Sequence, residues 1–206
     1  MWPDSAIEHG FWRHRATPNR QAMNHFLQSE RLYLRKLVAD DAGVLFAYRS
    51  DPEVSRYQGW APANESDALR FIENQSNIEP GVAGQWFQLA ICLRSDDNLV
   101  GDLGLHFPED DEQQAEFGVS LNSEHQGQGY AGETLRMAMS YLFDELGKHR
   151  VFCSVDPRNS ASVAMAGRLG MRKEAHFVKS LWFKDEWVDD VVFGLLKSEW
   201  CARHKD

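Results

Sequence analysis

The 206-residue sequence is short of several things, and each shortage excludes something. It has three cysteines, Cys92, Cys153 and Cys201, widely spaced and without a Cys-x-x-Cys pair. That excludes a disulfide framework and a cysteine zinc cluster, so no metal is expected, and it fits small thiols in a reducing compartment. Long apolar runs are missing too. The stretch over residues 191–196 falls far short of the roughly 20 residues a membrane span needs, so no membrane partner is expected. The N-terminus lacks the apolar core of a signal peptide, which points to a cytoplasmic protein. Cations are scarce: 22 Lys and Arg face 31 Asp and Glu, for a net charge of −9. Such a balance argues against broad nucleic-acid binding and leans towards a cationic partner.

What is present is enough for a core. Hydrophobic residues make up 43% and aromatics 12%, which excludes a disordered chain. The length predicts one domain. Residues 1–25 stand apart: Arg13, Arg15 and Arg20, three His and two Pro occur there without a sustained apolar period. They read as a loosely ordered extension, with Met23 a second candidate start, before a single domain over residues 26–206.

Periodicity orders that domain. Leu32 and Leu34 alternate with Arg31, Tyr33 and Arg35, as in a half-buried strand. Asp40 and Asp41 are N-cap candidates for a helix carrying Val44, Leu45 and Tyr48, ended by Ser50, Asp51 and Pro52. Asn64 and Asp67 resemble a capping box for a second helix. Phe87, Leu89, Ile91 and Leu93, then Leu99, Leu103, Leu105 and Phe107, predict a hairpin around residues 95–98. Ala115, Phe117, Val119 and Leu121 give a further strand, whose other face carries Glu116, Gly118 and Ser120. A long helix through Leu135, Met139, Leu142 and Leu146 follows, stopped by Gly147. A strand at 151–155, a helix ended by Gly170, and strands at 172–182 and 188–196 complete the order β-α-α-β-β-β-α-β-α-β-β. That order predicts a mixed α/β fold, one twisted sheet of about seven strands with helices on both faces.

The most informative stretch is Gln126, Gly127, Gln128, Gly129, Tyr130, Ala131, Gly132, between a strand and a long helix. Glycines there let the backbone turn tightly with its N–H groups converging, and the helix N-terminus adds free donors and positive potential. Together these make an anion site suited to a pyrophosphate. Turn geometry alone is the competing reading. A P-loop would need Lys-Ser or Lys-Thr after the last glycine, and Tyr130 and Ala131 stand there instead. Gly127, Gly129 and Gly132 match a dinucleotide fingerprint literally, but after a hairpin rather than at a first βα turn.

With its neighbours the loop resembles the GNAT superfamily of acyl-CoA-dependent N-acyltransferases. Gln126 through Ala131 fits the pattern Gln/Arg-x-x-Gly-x-Gly/Ala. Residues 116–121 fit the strand before it, and residues 156–162 with 168–171 fit a second cofactor block. Residues 29–35, 184–189, Glu199 and Trp200 resemble the RimJ/RimL-like branch of ribosomal-protein N-terminal acetyltransferases. The resemblance spans about residues 28–200.

It implies transfer of an acetyl group from acetyl-CoA to a primary amine, by direct attack in a ternary complex. The acceptor is then a protein N-terminus or a small molecule, with a polyamine or an aminoglycoside as alternatives. It further implies that Val119 and Leu121 pair with the pantetheine arm, that the loop Gln126, Gly127, Gln128, Gly129, Tyr130, Ala131, Gly132 holds the pyrophosphate, and that Asn159 contacts the cofactor. A lysine amine, of pKa ~10.4, needs a base far more than an α-amine of ~7.7–8.0. Glu116 is the leading base candidate, His106 a second that could also line the acceptor site, and Asp102 a weaker one. Many family members carry a Tyr on the helix after Asn159, where this sequence has Ala166. Ser162 is the available hydroxyl for the leaving thiolate and for the cofactor. Tyr57 and Trp60 are candidates to line the acceptor cleft or to anchor packing. The missing Tyr keeps open a non-catalytic acyl-CoA sensor. Exposed strand edges and seven Trp are compatible with a homodimer.

Overall fold

Alternating side chains give a strand two faces, and here both are apolar, so helices must cover both. The computed structural model describes residues 25–203. The rest of the expected N-terminal extension, residues 1–24, lies outside the described residues.

The order is β1 (Leu27–Gln28), β2 (Leu32–Lys36), α1 (Ala42–Arg49), α2 (Pro52–Ser55), α3 (Glu65–Gln75), β3 (Trp86–Leu93), β4 (Leu99–His106) and β5 (Gln114–Leu121). Then come α4 (Tyr130–Ser140), β6 (Arg150–Val155), α5 (Ser160–Arg168), β7 (Arg172–Phe183), β8 (Glu186–Leu196) and α6 (Lys197–Arg203). The strands form one sheet in the order β1-β2-β3-β4-β5-β6-β8-β7. Among the described residues only β5 and β6 run parallel.

The mixed sheet with helices on both faces agrees with the sequence expectation; eight strands replace seven. The added strand, β1, has two residues, too few for an alternation to register. Pro52 was expected only to end a helix, yet it opens α2 at a position where its missing N–H costs nothing. Asp51 caps that turn by accepting from the Glu53 amide at 2.9 Å. Asp41, expected to cap α1, instead accepts from the Arg35 guanidinium at 2.6 and 2.8 Å. The expected long helix changes to a π turn over Tyr141–Glu145 before Gly147.

Leu32, Leu34, Phe87, Leu89, Ile91, Leu103 and Leu105 pack with α4, α5 and α6 on one face. Tyr33, Ala90 and Cys92 pack with α1, α2 and α3 on the other. Between Ile91 and Cys92 the pairing to β4 slips, and Val100 is the extra residue. The extra residue shifts the alternation of β4, so that Leu99 joins its partner Cys92 in the second core while Val100 packs in the first.

One charge lies at the centre of the second face. Asp102 is fully buried in β4. It accepts from Tyr48 Oη at 2.6 Å, from Arg49 Nε at 2.9 Å, and from a second Arg49 nitrogen and Gln88 Nε2. Asp102 therefore ties α1 to the sheet and is not a free base. Asp102→Ala leaves the buried Arg49 charge uncompensated and should lower stability by about 3–5 kcal/mol in urea denaturation. Removing both charges, as Arg49→Met with Asp102→Leu, should recover part of that loss. If the double variant is no more stable than the single, the uncompensated charge is not the cause.

Candidate active site

The site begins where two parallel strands part. β5 and β6 share only the register pairs Gln114 with Arg150, Ala115 with Val151, and Glu116 with Phe152. β5 stays paired with β4 as far as Leu121. Past Glu116, its other edge therefore has no strand partner, and its backbone groups are free for an extended ligand. The gap is a cavity of about 120 Å³. Gly118 and Val119 line one wall and Cys153, Ser154 and Val155 another; Asn159, Ser162 and Ala166 supply a third, and Tyr57 and Gln58 lie at the opening side of α2.

The glycine loop leads from this strand to α4. Gly127 and Gly129 take φ of +75° and +84°, a left-handed region costly for residues with a Cβ. Gly129 holds the N-cap of α4 without a side-chain cap, so the first helical amides keep no side-chain partner. That suits a pyrophosphate. The two glutamines serve the loop itself: Gln126 Nε2 donates to the Leu121 carbonyl at 3.1 Å, and Gln128 Nε2 to the Glu124 carbonyl at 3.2 Å. Leu121 thus has its carbonyl occupied and its side chain in the core, while Val119 lines the cavity.

Arg31 braces the same loop. It bonds Glu133 through Nε at 2.8 Å and the Gln128 carbonyl at 3.1 Å, and its guanidinium lies 4.7 Å from the Tyr130 ring centre. Ser29 Oγ donates to Glu133 at 2.7 Å. These donors hold the Glu133 carboxyl below its ordinary pKa against the opposing effect of burial, which is the largest single influence. A Cβ at Gly132 would stand 3.7 Å from the Arg136 guanidinium, so a second cation overhangs the first turn of α4 beside Ala131. Sequence reading passed over Arg31, Glu133 and Arg136. Only their charge and position near the loop could have flagged them.

Glu116 and His106 are register partners on β5 and β4. Their Oε2 and Nδ1 atoms are 3.5 Å apart. Burial pushes the Glu116 carboxyl up, His106 offsets this, and Asp190 adds to it. Trp86, also missed, pairs with His106 across β3 and stacks on it with ring centres 5.1 Å apart. The hairpin register contained that signal. Cys153 lies in the cavity wall, and burial, with Glu116 and Asp190 behind it, pushes its thiol up to about 12.

Asn159 caps α5, its side-chain oxygen accepting from the Ser162 amide at 3.1 Å. Both residues line the cavity, and so does Ala166, where the resemblance expected a Tyr. Tyr57 lines it as well and is shared with a neighbouring cavity of about 240 Å³. Trp60 lines neither; it stacks on Phe71 with ring centres 4.4 Å apart. Among the described residues no group of three His, Cys, Asp or Glu could hold a metal, and no helix is long and apolar enough to cross a membrane.

Comparison with known proteins agrees with this geometry. Residues 31–172 match a family model described as an acetyltransferase (GNAT) domain. A relative named "Uncharacterized N-acetyltransferase p20" from Bacillus licheniformis is 31% identical over 176 residues, 85% of this chain and 98% of the relative. A spermidine N(1)-acetyltransferase from Vibrio cholerae is 27% identical over 175 residues, 85% of this chain and 98% of that protein. A solved GNAT-family acetyltransferase from Bacillus anthracis superposes with a TM-score of 0.76 at 26% identity, over 84% of this chain and 99% of its own.

Gly129→Ala forces a Cβ into the left-handed region and should lower stability by about 1–2 kcal/mol in chemical denaturation. Gly59→Ala, where an added Cβ meets nothing within 4 Å and φ is not positive, is the control and should change it little. Equal behaviour of the two variants would refute the strain argument.

Proposed function

The chain belongs to the GNAT family of acetyltransferases, and from that premise we propose that its acceptor is the α-amine of a peptide or protein. Acetyl-CoA-dependent N-acetyl transfer comes with the family. The acceptor and the residue roles are our reading. The observation that carries it is the Glu116–His106 pair beside the parting of β5 and β6.

The fit to acetyl-CoA rests on two features, the unpaired β5 edge and the glycine turn with uncapped amides at α4. The loop residues 126–132 and Arg136 would hold the phosphates, Val119 the pantetheine arm, and Asn159 and Ser162 the thioester end. When bound, the group supplies an activated acetyl carbon. Glu116 takes a proton from the attacking amine as the N–C bond forms. Its raised pKa makes it a better base than an ordinary carboxylate, suited to an α-amine of ~7.7–8.0 more than to a lysine of ~10.4. The C–S bond breaks, and the Ser162 hydroxyl donates a hydrogen bond to the departing sulfur. Cys153, neutral at physiological pH, is no competing nucleophile, which favours direct attack over an acyl-cysteine route. Three free thiols suit action in the cytoplasm.

A second reading has its own observation. Ala166 stands in the cavity wall where the resemblance places a Tyr, and that would suit a protein that binds acyl-CoA without turnover.

Glu116→Gln should lower kcat by about 10²–10⁴-fold, and Ser162→Ala by about tenfold. Thiol release with peptide amines is the readout. The sign of the pH effect follows from the base being active when ionised. In the wild type kcat should fall as pH drops through the Glu116 pKa, at a midpoint above the ordinary ~4.3, and Glu116→Gln should lack that limb. Full activity in both variants would remove these roles. Tight acetyl-CoA binding without turnover on a broad amine panel would establish the sensor reading.

A further inference from the structure

The cavity next to the slot departs in charge from the rest of the molecule. It is lined by Arg56, Tyr57, Arg158, Phe183, Lys184 and Glu186, three cations against one carboxylate in a chain of net charge −9. Three separate segments converge on it: the end of α2, the turn before α5, and the β7–β8 turn.

Not all three cations are available. Arg158 is spent locally, with its guanidinium 2.7 Å from Asp156 and 2.8 Å from Glu186. Those two carboxylates neutralise it and fix it as a wall. Lys184 and Arg56 are different. Lys184 Nζ donates to the Ser55 carbonyl at 2.6 Å and to the Arg56 carbonyl at 3.4 Å. Its partners are neutral oxygens, so its charge is held in place but not cancelled. Arg56 lies with its guanidinium 5.6 Å from the Tyr57 ring centre. Among the described residues neither one makes an ion pair. Two uncancelled cations therefore border a cavity that shares Tyr57 with the acetyl-transfer slot.

We infer that the acceptor carries an anionic group beside its amine, an acidic side chain at the second position of a peptide, and that Arg56 and Lys184 receive it in this cavity. The inference rests on the α-amine acceptor proposed above and names its class more closely. Tyr57 borders both cavities, so an acceptor whose amine end lies in the slot has the cation-lined cavity as its neighbour. The template is then bipolar, with a carboxylate for the amine end and cations for the following group. A polyamine would present a second ammonium to Arg56 and Lys184, and like charges placed together select against a partner. The acidic net charge leaned towards a cationic partner; the local charge at the site leans the other way.

The test uses the full chain with acetyl-CoA and four acceptors: Ala-Glu amide, Ala-Gln amide, Ala-Lys amide and spermidine. Initial rates of thiol release give kcat/KM for each. We expect Ala-Glu amide to exceed Ala-Gln amide by about tenfold, the size of one charge-assisted hydrogen bond, with Ala-Lys amide and spermidine lowest. Added salt should shrink the ratio. Arg56→Glu, at an exposed position whose guanidinium lies over the Tyr57 ring, should reverse the Glu and Lys peptides. Acetyl-CoA affinity by isothermal titration should stay unchanged in that variant. Equal kcat/KM across the three peptides, a spermidine rate above all of them, or an unchanged order in Arg56→Glu overturns the proposal while leaving acetyl transfer intact. Bound acetyl-CoA with no release on any amine overturns the acceptor reading and this proposal together.

Discussion

The site depends on two parallel strands that stop pairing after Glu116 and Phe152. β5 cannot follow β6 because it remains held by β4 over six register pairs, from His106 with Glu116 to Gly101 with Leu121. Every further backbone group on the free edge then lacks a strand partner, and an unpaired edge in a cavity is a binding surface. The glycine turn follows from the same parting. The chain leaving β5 must reverse into α4, and it does so with two left-handed residues that leave the helix amides exposed. The free edge, the glycine turn and Glu116, the proposed base, thus lie along one strand and the turn after it.

That arrangement works only if the opposite side of the slot is held as firmly. Tyr57 and Gln58 follow α2, which has only four helical residues. Such a segment has little helical stability of its own. It is pinned from outside instead. Arg49, fixed by buried Asp102, donates to Gln58 Oε1 at 3.3 Å. Lys184, at the tip of the β7–β8 turn, holds the Ser55 and Arg56 carbonyls. A buried ion pair is weak evidence for stability in itself. Here it gives position, because it relays the place of β4 to a residue lining the slot.

The same contrast explains what could be read from sequence. Strand alternation and the glycine loop are local patterns, and they located the sheet, both helical faces and the tight turn before α4. Arg31 and Glu133 lie 102 positions apart, and no periodicity connects them. From sequence Asp102 reads as a weaker base candidate behind Glu116 and His106. Only the fold shows both its oxygens taken by α1 and β3. Trp60 shares a loop with Tyr57, yet one stacks on Phe71 and the other lines the cavity. Sequence spacing carries no information on that choice, since an aromatic in a loop satisfies either environment.

Net charge leaves the site undescribed for a related reason. A sum over the chain describes the far field, which salt screens within about 10 Å. Recognition at an amine depends on which charges are left unpaired within contact distance. Carboxylates are abundant here, but many are committed: Glu133 to Arg31, Asp41 to Arg35, Asp102 to Arg49, Glu174 to Arg150. Among the described residues Glu116 makes no ion pair with a Lys or Arg; its partner His106 is charged only when protonated, and so it keeps a carboxylate free for a proton. Arg56 and Lys184 keep their charge for the opposite reason, since their partners are a ring and carbonyl oxygens. An acidic chain can therefore carry a cation-lined cavity beside the slot, and on the proposed reading the uncommitted groups, not the total, set what enters.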